Sequence, residues 1–243
     1  MSIVFKLLKR IVAVFFALII LFVVVILAWR IFSSGNPKSM ETLHADRRLA
    51  DLYESKGEDM YMFRQEQRSI TSGEKNYGYF GITDYVIIPE ADEIQLTVRY
   101  NNSTLRHTAE DFGLDEVPSR DADVYDVTLL LAVDLTPENQ DDNLGNDENS
   151  VKFIRCHGET VASEQKNLYN FRRLVFTVDG EDANLSELFD KGLLLAIYAD
   201  FYYVDAVDYE SEAYGTLCLY DFKSADIAVK LQKADRKALE AFE

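Results

Sequence analysis

The chain has 243 residues, 48% of them apolar, with only 11 glycines and 4 prolines, which excludes global disorder, collagen-like repeats and low-complexity classes. Residues 1–40 hold five basic residues (Lys6, Lys9, Arg10, Arg30 and Lys38) and no acid, so the other 20 basic residues face all 42 acidic ones, a formal −22 beyond residue 40. A region this acidic repels nucleic-acid phosphates and anionic headgroups, and no nucleic-acid partner is expected.

Residues 1–10 form a basic tail. From Ile11 to Trp29 the chain reads IVAVFFALIILFVVVILAW, nineteen residues without a charge. As a helix this stretch is roughly 28 Å long, against a bilayer hydrocarbon thickness of roughly 30 Å. It is apolar on every face, unlike a helix that lies along a membrane surface. It also exceeds the roughly 7–15 apolar residues of a signal peptide, and Ser33-Ser34-Gly35 is a weak cleavage site without an A-x-A pattern. Residues 11–30 are therefore predicted to be an uncleaved transmembrane helix whose partner is the lipid bilayer. Lys6, Lys9 and Arg10 precede it, and Arg30, Lys38, Arg47 and Arg48 follow. The charge asymmetry is small, and it favours a cytoplasmic tail with the acidic domain outside the cell membrane.

Residues 31–57 read as a linker and a juxtamembrane helix. Gly35, Asn36 and Pro37 break the first helix. Ser39 can cap a second one running to about Ser55, with Met40, Leu43, Leu49, Ala50, Leu52 and Tyr53 at roughly helical spacing.

Residues 58–222 carry strand patterns. Ile94, Leu96, Val98 and Tyr100 alternate with Gln95, Thr97 and Arg99, and the odd positions from Tyr125 to Leu135 form an apolar face opposite Asp126, Thr128 and Asp134. A period of two marks half-buried antiparallel strands. Further strands are predicted at 77–81, 84–88, 151–157, 173–178, 193–204 and 215–222, with long loops at 101–123 and 136–150. The expected fold class is mainly β: an antiparallel β-sandwich-like domain with flanking helices, behind a single N-terminal transmembrane helix. Residues 223–243 return to helical period, with Ser224 as cap and Ile227, Leu231, Ala234, Ala238 and Phe242 along one stripe.

Two features carry candidate chemistry. The loop 137–150 has Glu138, Asp141, Asp142, Asp147 and Glu148 with no basic residue. Asp141, Asp142, Asp147 and Glu148 are candidate ligands for a hard cation such as Ca²⁺, alone or with loops near Glu90, Asp92, Asp179, Glu181 and Asp182 at the same end. The spacing is not that of an EF-hand, and a solvated hairpin loop accounts for the same residues. The second feature is the run of six tyrosines from Tyr198 to Tyr220. In 193–204 the odd positions Leu193 to Tyr203 read as core, which leaves Tyr198, Asp200 and Tyr202 on the other face. Tyr198 and Tyr202 are the candidate ligand or partner face for a protein or glycan, unless a helix or second sheet covers them.

Cys156 and Cys218 either pair, if their strands are neighbours, or stand as small apolar thiols. The three histidines, His44, His107 and His157, have no paired-ligand spacing, and no catalytic or cofactor motif is present in the sequence. The expectation is a membrane-anchored extracytoplasmic binding module. The alternatives are an anchored hydrolase with a spatially assembled site and a structural subunit of a membrane complex.

Overall fold

The structure, a computed structural model, describes residues 3–69, 80–134, 151–178, 183–221 and 229–242. It consists of two compact units, Met1–Gly35 and Asn36–Glu243. The first is helix α1 (Ile3–Ser34). Within it, Lys9–Trp29 has a mean hydropathy of 3.6 with no side chain buried, so α1 is long and apolar enough to cross a membrane. It outruns the predicted span at both ends because the flanking Lys and Arg residues are themselves good helix formers. Gly35 follows its last turn.

In the second unit, Lys38–Met40 is a single 3-10 turn, and helix α2 (Arg47–Lys56) begins seven residues later than Met40. Asp46, not Ser39, caps α2: its carboxylate accepts from the Leu49 amide at 2.7 Å. Gly57, at φ 59°, closes the helix. The strands that follow are β1 (Tyr61–Ser69), β2 (Gly81–Ile88) and β3 (Glu93–Asn101). Helix α3 (Asn102–Asp111) lies inside the predicted loop 101–123. A capping box between Asn101 and Thr104 starts it, an N-x-x-T signal that the strand-led reading passed over. Then come β4 (Tyr125–Asp134), β5 (Val151–Lys166), β6 (Tyr169–Thr177), helix α4 (Leu185–Asp190), β7 (Leu194–Tyr203), β8 (Gly215–Asp221), the short β9 (Val229–Lys230) and helix α5 (Lys233–Glu240).

All strand neighbours are antiparallel, in the order β8-β7-β4-β5-β6-β3-β2-β1-β9. The mainly β, antiparallel domain expected from the alternation is present, but it is one sheet curled into a half-barrel and not two stacked sheets. Strand β5 makes the curl. Its residues 151–157 pair with β4 and 158–166 with β6, so one strand serves both halves. Gly158 stands at the hand-off, opposite Phe176. A Cβ there would lie 2.5 Å from the Phe176 ring, so the strand crosses this ring only because position 158 has no side chain.

The main core fills the curl. Phe80 stacks on Phe201 at 4.6 Å and meets Tyr125 edge-on at 4.7 Å, joining β2 to the β4–β7 half. Leu96, Phe176, Leu129 and Ile197 are fully buried between the halves. Helix α4 lends Phe189, stacked on Phe63, and α3 lends Thr108, whose hydroxyl lies 2.7 Å from that of Tyr125.

A second cluster lies on the outer side of β1, β2 and β3, where Met62, Val86 and Ile88 meet Leu43, Leu49, Leu231 and Leu239. Both faces of β2 are thus covered, and all eight of its residues are buried. The strand runs unbroken across the predicted gap between 81 and 84, where Thr83 is polar and nevertheless buried, and residues 77–79 of the predicted strand 77–81 lie outside the described residues. At the C-terminus the predicted cap Ser224 lies outside the described residues, residues 229–230 are strand, and helix α5 starts at Lys233 with no side-chain cap. Its buried residues are Asp235 and Leu239, while Ala234 and Phe242 are exposed; Ile227 lies outside the described residues.

Charged groups complete this outer cover. Arg64 donates to Asp235 at 2.7 Å and to Asp84 at 3.2 Å, and Arg173 reaches Asp84 at 3.4 Å. Residues 40–44 are held by these side chains. The Met40 carbonyl accepts from Arg173, the Glu41 carbonyl from Arg64, and the Leu43 amide donates to Asp235. The Gln95 amide exchanges two 2.8 Å bonds with the backbone of His44. A chain segment is therefore added to the sheet face by ion pairs that also satisfy its backbone groups.

Candidate partner-binding face

The convex face of β4, β5, β7 and β8 is built in rows by strand register. One row is His157, Thr128, Asp200 and Thr216; the next is Arg155, Leu130, Tyr198 and Cys218; beyond it lie Phe153, Ala132 and Ala196. Asp126 pairs with Tyr202 at the far end. Tyr198, Asp200 and Tyr202 do share this face, away from the main core. The odd-position rule fails at Leu195, where β7 carries an extra residue between the partners of Ala132 and Val133. This bulge makes Leu194 a core residue and leaves Leu195 half-buried.

The two candidate tyrosines have different surroundings. Tyr198 is half-buried, whereas Tyr202 is 4% exposed. The segment after β7 turns back over Tyr202, with Asp208 accepting from the Glu210 amide at 3.0 Å to tighten the turn. Tyr209 then packs edge-on against Tyr202 at 5.2 Å and against His157 at 5.1 Å. The Arg155 guanidinium lies over both tyrosine rings, at 5.7 and 5.1 Å, and donates to the Tyr202 hydroxyl at 2.9 Å and the Tyr209 carbonyl at 3.0 Å. The Tyr209 hydroxyl donates to Asp126. That bond, with burial, pushes the phenol up to about 12, so Tyr209 stays a neutral donor.

What is left facing solvent is an aromatic rim on a braced base. Phe153 is 58% exposed, Tyr209 is 37% exposed, and His157 is also exposed. Sequence reasoning missed Phe153 and Arg155. Their signal was the alternation of β5, where Ile154 and Cys156 are buried and their neighbours are not.

The candidate cation ligands Asp141, Asp142, Asp147 and Glu148 lie outside the described residues, as do Asp179, Glu181 and Asp182. Glu90 is paired with Lys56 at 2.7 Å, and Asp92 accepts from the Leu185 amide at 2.6 Å at the start of α4. Among the described residues no group of three His, Cys, Asp or Glu side chains is placed to hold a metal ion. Cys156 and Cys218 are not joined to each other in a disulfide. They lie on opposite faces with β4 and β7 between their strands, roughly 14 Å apart at about 4.8 Å per strand, beyond the reach of a disulfide.

No family model matches this chain, and neither a curated protein nor a solved structure matches it.

Proposed function

We propose that this chain is a membrane-anchored binding module. In this reading α1 crosses the cell membrane with the basic tail in the cytoplasm. The sandwich-like curled sheet stands outside and takes a protein partner on the convex face of β4, β5, β7 and β8. The length and uniform apolarity of α1 support the anchor. The observation that carries the binding reading is the exposed Phe153 ring beside the Arg155–Tyr202–Tyr209 stack. Large aromatic side chains with arginine, held rigid and left open, are the residue types that anchor protein interfaces.

The test is photocrosslinking in the native membrane from a probe at Phe153, compared with one at Glu54, an exposed residue of α2. The expected result is one discrete adduct from Phe153 and none from Glu54, in a fraction that resists carbonate washing. Equal labelling from both positions would overturn the assigned face, and release by carbonate would overturn the anchor. An adduct to a glycan would replace the protein partner with a sugar.

A further inference from the structure

We infer that the partner on the convex face contributes an extended, basic chain segment, which adds as a strand to the open edge of β5, a step that rests on the protein-partner reading above. Strand β5 changes neighbours at Gly158, with residues 151–157 on β4 and 158–166 on β6. Beyond the last β4 pair, Thr128 with His157, the side of β5 turned away from β6 has no strand beside it. The segment 120–121 closes the far end, where Gln165 donates to Asp121 and Arg120 donates to the Asn167 carbonyl. Between those points, among the described residues, the backbone of 158–164 bonds only to β6. In an antiparallel pair every second residue turns its N–H and C=O away from its neighbour, so this run offers about three outward donor and acceptor sets.

This edge is poorly guarded. Sheets protect their edges with proline, lysine, very short strands or a covering segment. At the other end of the sheet β1 is covered in part by β9, with Tyr61 opposite Lys230. The run 158–164 has no proline and no lysine; Glu159, Thr160, Ser163 and Glu164 are exposed, and Val161 and Ala162 are half-buried. Its centre, Thr160-Val161-Ala162-Ser163, carries small side chains, which let another backbone approach to the usual strand spacing of about 4.8 Å. The irregularity in the run is a bulge that leaves Val161 without a β6 partner. A bulge bends a strand and does not cover it.

Charge and position choose the occupant. The bulge places Glu159 and Glu164 on one face of the strand, because their β6 partners, Val175 and Phe171, share a face. Among the described residues neither glutamate forms an ion pair, and Glu164 accepts from the Ser39 hydroxyl. The basic groups alongside are committed. Arg172 pairs with Asp123 at 3.2 Å, Arg173 with Asp84 at 3.4 Å, and Lys166 donates to the Asn36 carbonyl at 2.7 Å. A segment with Lys or Arg at alternate positions would set them against both glutamates. A second copy of this chain would instead bring together two regions of formal −22, which like charge opposes. The open run begins next to His157, on the strand that carries Phe153 and Arg155, so the added strand would continue the convex-face contact.

The test uses the full chain in neutral maltoside micelles and the peptide acetyl-Lys-Thr-Lys-Val-Lys-Thr-Lys-amide. Two analogues go with it, one with Glu for every Lys and one fully N-methylated, which keeps the charges and loses the backbone donors. The Lys peptide is expected to bind at least about tenfold more tightly than either analogue. Glu159→Lys should weaken it by about threefold or more, and Glu54→Lys, the same change on exposed α2, should not. Val161→Pro should abolish binding, since proline blocks an added strand at a position where the β6 ladder loses nothing. A thermal melt matching that of the native chain shows the variants are folded, and Glu159→Lys decides alone if Val161→Pro is not. No binding of the Lys peptide, or equal binding of the N-methylated one, would overturn the edge; equal binding of the Glu peptide would overturn the basic segment. A dimer that Val161→Pro converts to monomer would replace the partner with a second copy. In the native membrane a photocrosslinker at Ser163 should capture the same adduct as one at Phe153. An adduct from Phe153 alone would overturn the added strand and leave the convex face standing. Peptide binding with no adduct from Phe153 would support the edge and sink the convex-face reading.

Discussion

Asp235 of α5 and Arg64 of β1 meet at 2.7 Å with side chains 0% and 5% exposed. The second oxygen of the same carboxylate takes the amide of Leu43, so one buried acid ties the C-terminal helix, the sheet and the segment leading from α1. Removing one member of such a group leaves a buried charge without full compensation. Asp235→Ala should destabilise the second unit by about 3 kcal/mol in urea unfolding, with new protease cleavage within residues 36–46. If stability fell and that segment stayed protected, Asp235 would be only a packing residue of α5.

That acid shows where sequence reading stops. Arg64, Asp84, Arg173 and Asp235 are far apart along the chain, and each alone reads as a solvated charge. Nothing short of the tertiary pairing makes them interior. The same cause hid β1, whose segment YMFRQEQRS looks too polar for a strand until Arg64 is seen to be neutralised. Strands β3 and β4 were legible because one face of each meets apolar core and their alternation is unbroken. Tyr202 was placed on the correct face, but its cover could not be read, since Tyr209 reaches it from a turn without periodicity.

Glu93 gives a dependence on pH. Burial raises its carboxyl above the ordinary glutamate value, outweighing the opposing bonds from Gln95 and from Arg48, whose own side chain is partly exposed. A raised carboxyl means the folded state holds its proton to higher pH than the unfolded state does. Its contribution to stability is therefore fully present below the ordinary value and is lost as pH rises through the folded one. The native chain minus Glu93→Gln difference in unfolding free energy should fall from about pH 4.5 upward and then level off. A difference that rose with pH would mean that Arg48 dominates.

Tyr198 and Tyr202 should separate binding from stability. Tyr202→Ala removes a buried ring from beneath Arg155 and Tyr209 and should lower stability by about 3 kcal/mol. Tyr198→Ala, half-buried on the next row, should lower it by about 1 kcal/mol or less while reducing the adduct captured from Phe153. Full capture by the folded Tyr198→Ala protein would remove Tyr198 from the partner face.

Gly158 tests how the sheet curls. Its strand changes neighbours there, and a Cβ would stand 2.5, 2.6 and 2.8 Å from three atoms of the Phe176 ring, which is 0% exposed. Gly158 has no unusual backbone angle among the described residues, so the constraint is space and not conformation. Gly158→Ala should lower stability by about 1–3 kcal/mol, the range for overpacking a well-filled core. Phe176→Leu alone should also destabilise, by leaving a gap. Combined, the added methyl occupies part of the space that the shortened side chain leaves, so the double variant should be more stable than the sum of the two losses implies, by about 1 kcal/mol. Strict additivity in urea unfolding would place the effect of Gly158→Ala somewhere other than this ring, and the curl would then have to be carried by the pairing of β5 alone.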